Sequence, residues 1–114
     1  DTVDIYSPKV TRATMGSLFR MPFLYSENIC DAIEWLKNEG VTVYGAYLRN
    51  GVPYDSIDYS FPAAVLIGNE GNGISDKAIA HVSERIYIPM AGSIESLNAS
   101  VAAAVIMYRM RKQD

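Results

Sequence analysis

The chain has 114 residues, 49% hydrophobic and 20% charged, which is enough for one small domain with a single core and too apolar for a disordered tail. Its net charge of −3 gives no overall attraction to a polyanion, so any nucleic acid contact must come from local Lys and Arg or from another chain. A lone cysteine, Cys30, rules out an intramolecular disulfide, and with His81 the single histidine no Cys/His zinc site can form; no metal is expected, and a reducing cytoplasm fits.

Residues 27–39 place Ile29, Ile33 and Leu36 at helical spacing, with Ser26 ahead as an N-cap and Gly40 behind as a stop. Cys30 and Trp35 on this helix read as packing residues. Residues 41–47 are rich in β-branched and aromatic side chains, and residues 63–67 are a short apolar run; both predict inner strands of a parallel sheet. Between them, residues 48–62 carry Asn50-Gly51, Pro53, Asp55-Ser56, Asp58, Ser60 and Pro62, the composition of a loop or irregular crossover. The glycine-rich segment 68–75 leads into a helical stretch over 76–81 capped by Ser75, with His81 as a surface residue at its end. Residues 85–88 predict a third strand that Pro89 ends, and residues 96–111 an Ala-rich helix with Arg109, Arg111 and Lys112 near its C-terminal dipole. The most apolar run, residues 101–107, is far short of a bilayer span, and the first residues are acidic and polar rather than a signal sequence, so a soluble protein without a membrane partner is expected. The alternation predicts an α/β fold, a parallel sheet flanked by helices with ligands beyond the carboxyl ends of its strands.

Two segments lie at that edge. Gly68, Gly71 and Gly73 follow a strand directly, where glycine permits close approach of backbone N–H groups to a ligand, or serves the geometry of a strand-to-helix turn alone. The spacing G-x-x-G-x-G departs from the dinucleotide pattern, no Lys-Ser/Thr pair follows, and Glu70 repels phosphate while suiting hydroxyls or a cationic group. Residues 88–100 gather Ser, Asn and Gly beside apolar residues, which suits helix capping by Ser93 or Ser96 and equally the presentation of backbone groups to an uncharged heterocycle. The last helix is apolar nearly all round, with Val101, Ala104, Val105 and Tyr108 on one side and Ala103, Ile106, Met107 and Met110 over the other. Such a helix needs two burial partners, its own sheet and either more of the chain or a second subunit, so self-association is expected.

Taken together, the two segments resemble motifs of the SpoU/TrmH family of RNA 2′-O-ribose methyltransferases, in the SPOUT superfamily. Val65-Leu66-Ile67-Gly68-Asn69-Glu70-Gly71-Asn72-Gly73-Ile74-Ser75 is similar to the family's hydrophobic strand, Gly-x-Glu-Gly turn and following Ile/Leu-Ser. Ile88-Pro89-Met90, and Ser96-Leu97-Asn98-Ala99-Ser100-Val101-Ala102 after it, are similar to its Ile-Pro-Met, Ser-Leu-Asn and Ser-x-Ala elements. Near the start, Pro8-Lys9-Val10-Thr11-Arg12-Ala13-Thr14-Met15-Gly16-Ser17-Leu18-Phe19 is similar to its Arg-Ala-Ser-x-Gly-Ala-x-Phe segment, so the likeness spans essentially the whole chain in the family's order.

The resemblance implies a Rossmann-like α/β fold whose C-terminal segment threads a loop to form a deep trefoil knot, an exception to the rule against knots. It implies S-adenosylmethionine as cofactor, held by backbone groups around Ile67, Gly68, Gly71, Ile88 and Leu97, with Ala46 adding a contact. Glu70, Ser96 and Asn98 match family positions associated with the active site, and the implied reaction is in-line transfer of a sulfonium methyl to a ribose 2′-oxygen of rRNA or tRNA. Arg12 is the foremost candidate for RNA contact, ahead of Lys9, Arg20 and Arg49, and a homodimer is the expected assembly. Family members carry an earlier motif, with an asparagine and a catalytic arginine, that has no match here. The expectation is therefore a single domain over residues 1–114, the C-terminal part of a longer enzyme and inactive alone; the alternative is a noncatalytic cofactor-binding or dimerisation module. An unrelated nucleotide-binding α/β protein would need affinity for phosphates, against Glu70 and the missing lysine.

Overall fold

The structure is a computed structural model describing residues 25–68, 73–89 and 99–112. Its first element is helix α1, Ile29–Asn38. Its N-cap is Asn28 and not the expected Ser26: the Asn28 side-chain oxygen accepts from the backbone N–H of Cys30 at 2.9 Å and Asp31 at 3.2 Å, while Ser26 Oγ donates to the Asn28 carbonyl. At the other end Gly40 takes φ +84°, its N–H bonding the Lys37 carbonyl and that of Val41 the Leu36 carbonyl, both at 3.0 Å. This pair of bonds is the Schellman arrangement, which needs a left-handed residue at that position.

Three of the remaining elements are the predicted strands β1 (Thr42–Ala46), β3 (Ala63–Leu66) and β4 (Glu84–Tyr87). The fourth, β2 (Val52–Pro53), lies inside the segment expected to be irregular. Two residues, one of them proline, carry no strand pattern, and the pairing with β4 alone defines this edge strand. The sheet is parallel throughout in the order β2-β4-β1-β3. β1 is inner as predicted, whereas β3 stands at the edge of the described sheet and is half-buried along its length.

Alternation along β1 divides the interior in two. Val43 faces helix α1 and the one-turn helix α2 (Asp76–Ile79), packing with Ile33, Ile74, Ala78 and Ile79. Tyr44 faces the opposite way, packing with Ile86, Tyr59 and, from helix α3 (Ala99–Lys112), Ile106 and Met110. Tyr44 and Tyr59 meet edge to face with ring centroids 4.7 Å apart, and their hydroxyls fasten the 54–60 segment: Tyr59 donates to the Tyr54 carbonyl, and Tyr44 accepts from the Ser60 N–H at 2.7 Å. Burial pushes the Tyr59 hydroxyl up to about 12. Cys30 packs on the first cluster as expected, but Trp35 does not: it lies off the Ile33–Leu36 face and is 62% exposed.

Candidate functional site

Parallel pairing brings the carboxyl ends of β1, β3 and β4 to one edge. The register Gly45↔Leu66 and Ala46↔Ile86 sets Ala46 beside Ile67, and Ile88 lies two residues beyond Ile86. Ala46, Ile67 and Ile88 all pack, half-buried, around the cluster on the α3 face. Three positions expected to hold a cofactor thus form one apolar shelf, drawn from adjacent strands that are far apart in sequence. Glu70, Gly71, Ser96, Leu97, Asn98 and Arg12 lie outside the described residues.

Gly68 has a structural role of its own. A Cβ there would sit 2.3 Å from the Gly73 carbonyl carbon and 2.4 Å from the Ile74 nitrogen, so the backbone at Gly68 and at Gly73–Ile74 meets at a narrow neck. Gly73, on the far side of that neck, has φ +67°. Beyond it Ser75 caps α2, its Oγ accepting from the Ala78 N–H at 3.1 Å, as the sequence predicted. The helix is shorter than expected, ending at Ile79 rather than near His81.

A second group stands at this edge that no motif announces. Tyr47, one residue past β1, donates from its hydroxyl to Asp76 Oδ1 at 2.9 Å, and its ring lies 5.6 Å from the Arg85 guanidinium carbon. The hydrogen bond to Asp76, burial and the Asp76 charge raise the Tyr47 hydroxyl above its ordinary range, with Arg49 and Arg85 opposing. Arg49 itself is exposed in the turn after β1. No linear pattern marks these residues, because the contact joins chain positions 29 residues apart.

His81 is tied down rather than free at a helix end. Its Nδ1 lies 2.8 Å from Glu34 Oε2, and Lys37 donates to the His81 carbonyl at 2.9 Å, so the end of α2 is fastened to α1. The hydrogen bond from His81 is the main reason the Glu34 carboxyl falls below its ordinary range. Among the described residues no group of His, Cys, Asp or Glu could hold a metal ion, and no helix is long and apolar enough to cross a membrane.

The SpoU rRNA Methylase family profile matches residues 1–108. A 23S rRNA (guanosine(2553)-2′-O)-methyltransferase of Bacillus subtilis is 39% identical over 110 residues, covering 96% of this chain and 44% of that protein. A tRNA (guanosine(18)-2′-O)-methyltransferase of Escherichia coli is 41% identical over 86 residues, 75% of this chain and 38% of that one. The crystal structure of an AdoMet-bound rRNA methyltransferase from Sinorhizobium meliloti superimposes with a TM-score of 0.91 at 35% identity, covering 98% of this chain and 43% of that chain. The chain spans less than half the length of these relatives. A profile match over nearly every residue, with a parallel sheet that follows those of solved members, places this chain in the SpoU rRNA methylase family.

Proposed function

We propose that this chain supplies the cofactor-binding part of an S-adenosylmethionine-dependent RNA 2′-O-methyltransferase acting on rRNA or tRNA. The observation that carries the proposal is the apolar shelf of Ala46, Ile67 and Ile88 beside the Gly68–Gly73 neck. A half-buried apolar surface at the carboxyl edge of a parallel sheet suits a flat, uncharged heterocycle such as adenine. Family membership adds the expectation that Gly71 and Leu97 complete the pocket and that the C-terminal segment threads a loop as a deep trefoil knot.

S-adenosylmethionine, when bound, supplies an electrophilic methyl group on sulfur. The chain's task is then orientation: the shelf seats the adenosine, and Glu70, Ser96 and Asn98 align the ribose hydroxyl and assist removal of its proton. Arg12 binds the RNA backbone in this reading. Two copies of the chain associate through α3, whose Val101, Met107 and Tyr108 are 48%, 58% and 61% exposed. In this reading the chain is the C-terminal part of the methyltransferase domain and works in the cytoplasm.

Calorimetric titration of the purified chain with S-adenosylhomocysteine, with ATP and NAD as controls, tests the proposal. Saturable binding of S-adenosylhomocysteine alone is the expected outcome; a folded chain that binds none of the three, or prefers ATP or NAD, contradicts it.

A further inference from the structure

The described chain flanks the glycine segment with two feet. One is Gly68, at the end of a strand held in register with β1. The other is α2, which has four residues, a single turn that cannot hold its own geometry. Its placement therefore depends on what its side chains touch. Ala78 and Ile79 are buried against Val43 and Ile33 and fix the helix against the sheet. Ile74, just ahead of the Ser75 cap, is buried in the same cluster. Apolar packing of this kind holds position but is non-directional, so the orientation of the first turn, where the glycine segment enters, calls for a directional contact.

Tyr47 makes that contact. Its own backbone N–H bonds the Ile86 carbonyl at 2.9 Å, and its ring is braced by Arg85, so the hydroxyl is presented from the junction of β1 and β4. The acceptor, Asp76, is the first residue of α2, directly after the Ser75 cap. Asp76 is exposed and Tyr47 half-buried, so the core has no need of the bond to satisfy a buried polar atom. We infer that Tyr47 and Asp76 are positioning residues: their hydrogen bond fixes the α2 foot of the glycine segment relative to the shelf of Ala46, Ile67 and Ile88, and so sets cofactor affinity. The inference rests on the cofactor reading above. A phenol whose ionisation is pushed upward keeps its proton at neutral pH, so the donor is always present.

The test is titration of the 114-residue chain with S-adenosylhomocysteine, comparing wild type with Tyr47→Phe, Asp76→Ala and Asp76→Asn. Phe keeps the ring and loses the donor, Ala loses the acceptor, and Asn keeps an acceptor oxygen at the same place. Tyr47→Phe and Asp76→Ala should each weaken binding about tenfold, the scale of one charge-assisted hydrogen bond, while Asp76→Asn stays within about threefold of wild type. Circular dichroism establishes that each variant is folded. Wild-type affinity in Tyr47→Phe overturns the assignment alone, as does an Asp76→Asn that binds no better than Asp76→Ala. A folded wild type that binds no S-adenosylhomocysteine overturns the cofactor reading and the assignment with it.

Discussion

At Gly68 a methyl group would meet backbone, not the yielding tip of a side chain, since the Gly73 carbonyl carbon lies 2.3 Å from where it would stand. Gly68→Ala must therefore open the neck, and urea unfolding should show a loss of about 1–3 kcal/mol. An unchanged midpoint would mean that the neck is not closed in solution. Glu34 shows how a polar contact acts through pH. Its folded pKa is depressed below 4.5, so its contribution is complete above that value and is lost as pH falls through the lower, folded value. The stability of wild type should consequently approach that of Glu34→Gln as acid is added below pH 4.5, the two curves standing furthest apart nearer neutrality. The carboxylate is open to solvent, so the separation will be small. Residues differed in how far sequence revealed them. The Ser75 cap was legible because a cap acts over three residues, whereas the Tyr47–Asp76 bond depends on how strands and helix stack and leaves no local signature. Trp35 misled because being apolar does not say which side of a helix a residue occupies.

For whole elements, the helix stop at Gly40 was readable because only a residue at ease with φ +84° closes the Schellman turn. No atom stands within 4 Å of a Cβ built there, so Gly40→Ala isolates backbone strain from crowding. It should cost about 1 kcal/mol in a denaturant titration, and a neutral substitution would show that the turn rearranges without penalty. The strands were legible from apolar runs, and the parallel arrangement from their alternation with helices. β2 was not, since Val52–Pro53 becomes a strand only through the partner that β4 supplies. Of the candidate site, the strand-end positions Ala46, Ile67 and Ile88 followed from the family resemblance and converge in space, while Glu70, Ser96 and Asn98 lie outside the described residues.

For the molecule as a whole, the sheet separates two apolar layers, and α3 buries Ile106 and Met110 against one of them while leaving Met107 and Tyr108 outward. If this outer surface joins two copies, light scattering should report twice the 12.6 kDa chain mass, and Met107→Lys with Tyr108→Glu should yield a folded monomer. A wild type that stays monomeric at tens of micromolar would exclude that assembly. The strand order β2-β4-β1-β3 also has a temporal meaning. β4 lies between β1 and β2 in space but follows both in the chain, so on a translating ribosome β1 and β3 can pair while β2 still has no neighbour. Until residue 87 has left the exit tunnel, the stretch carrying β2 lacks its strand partner. Nascent chains stalled before and after that point should therefore differ sharply in how readily a protease cuts them there.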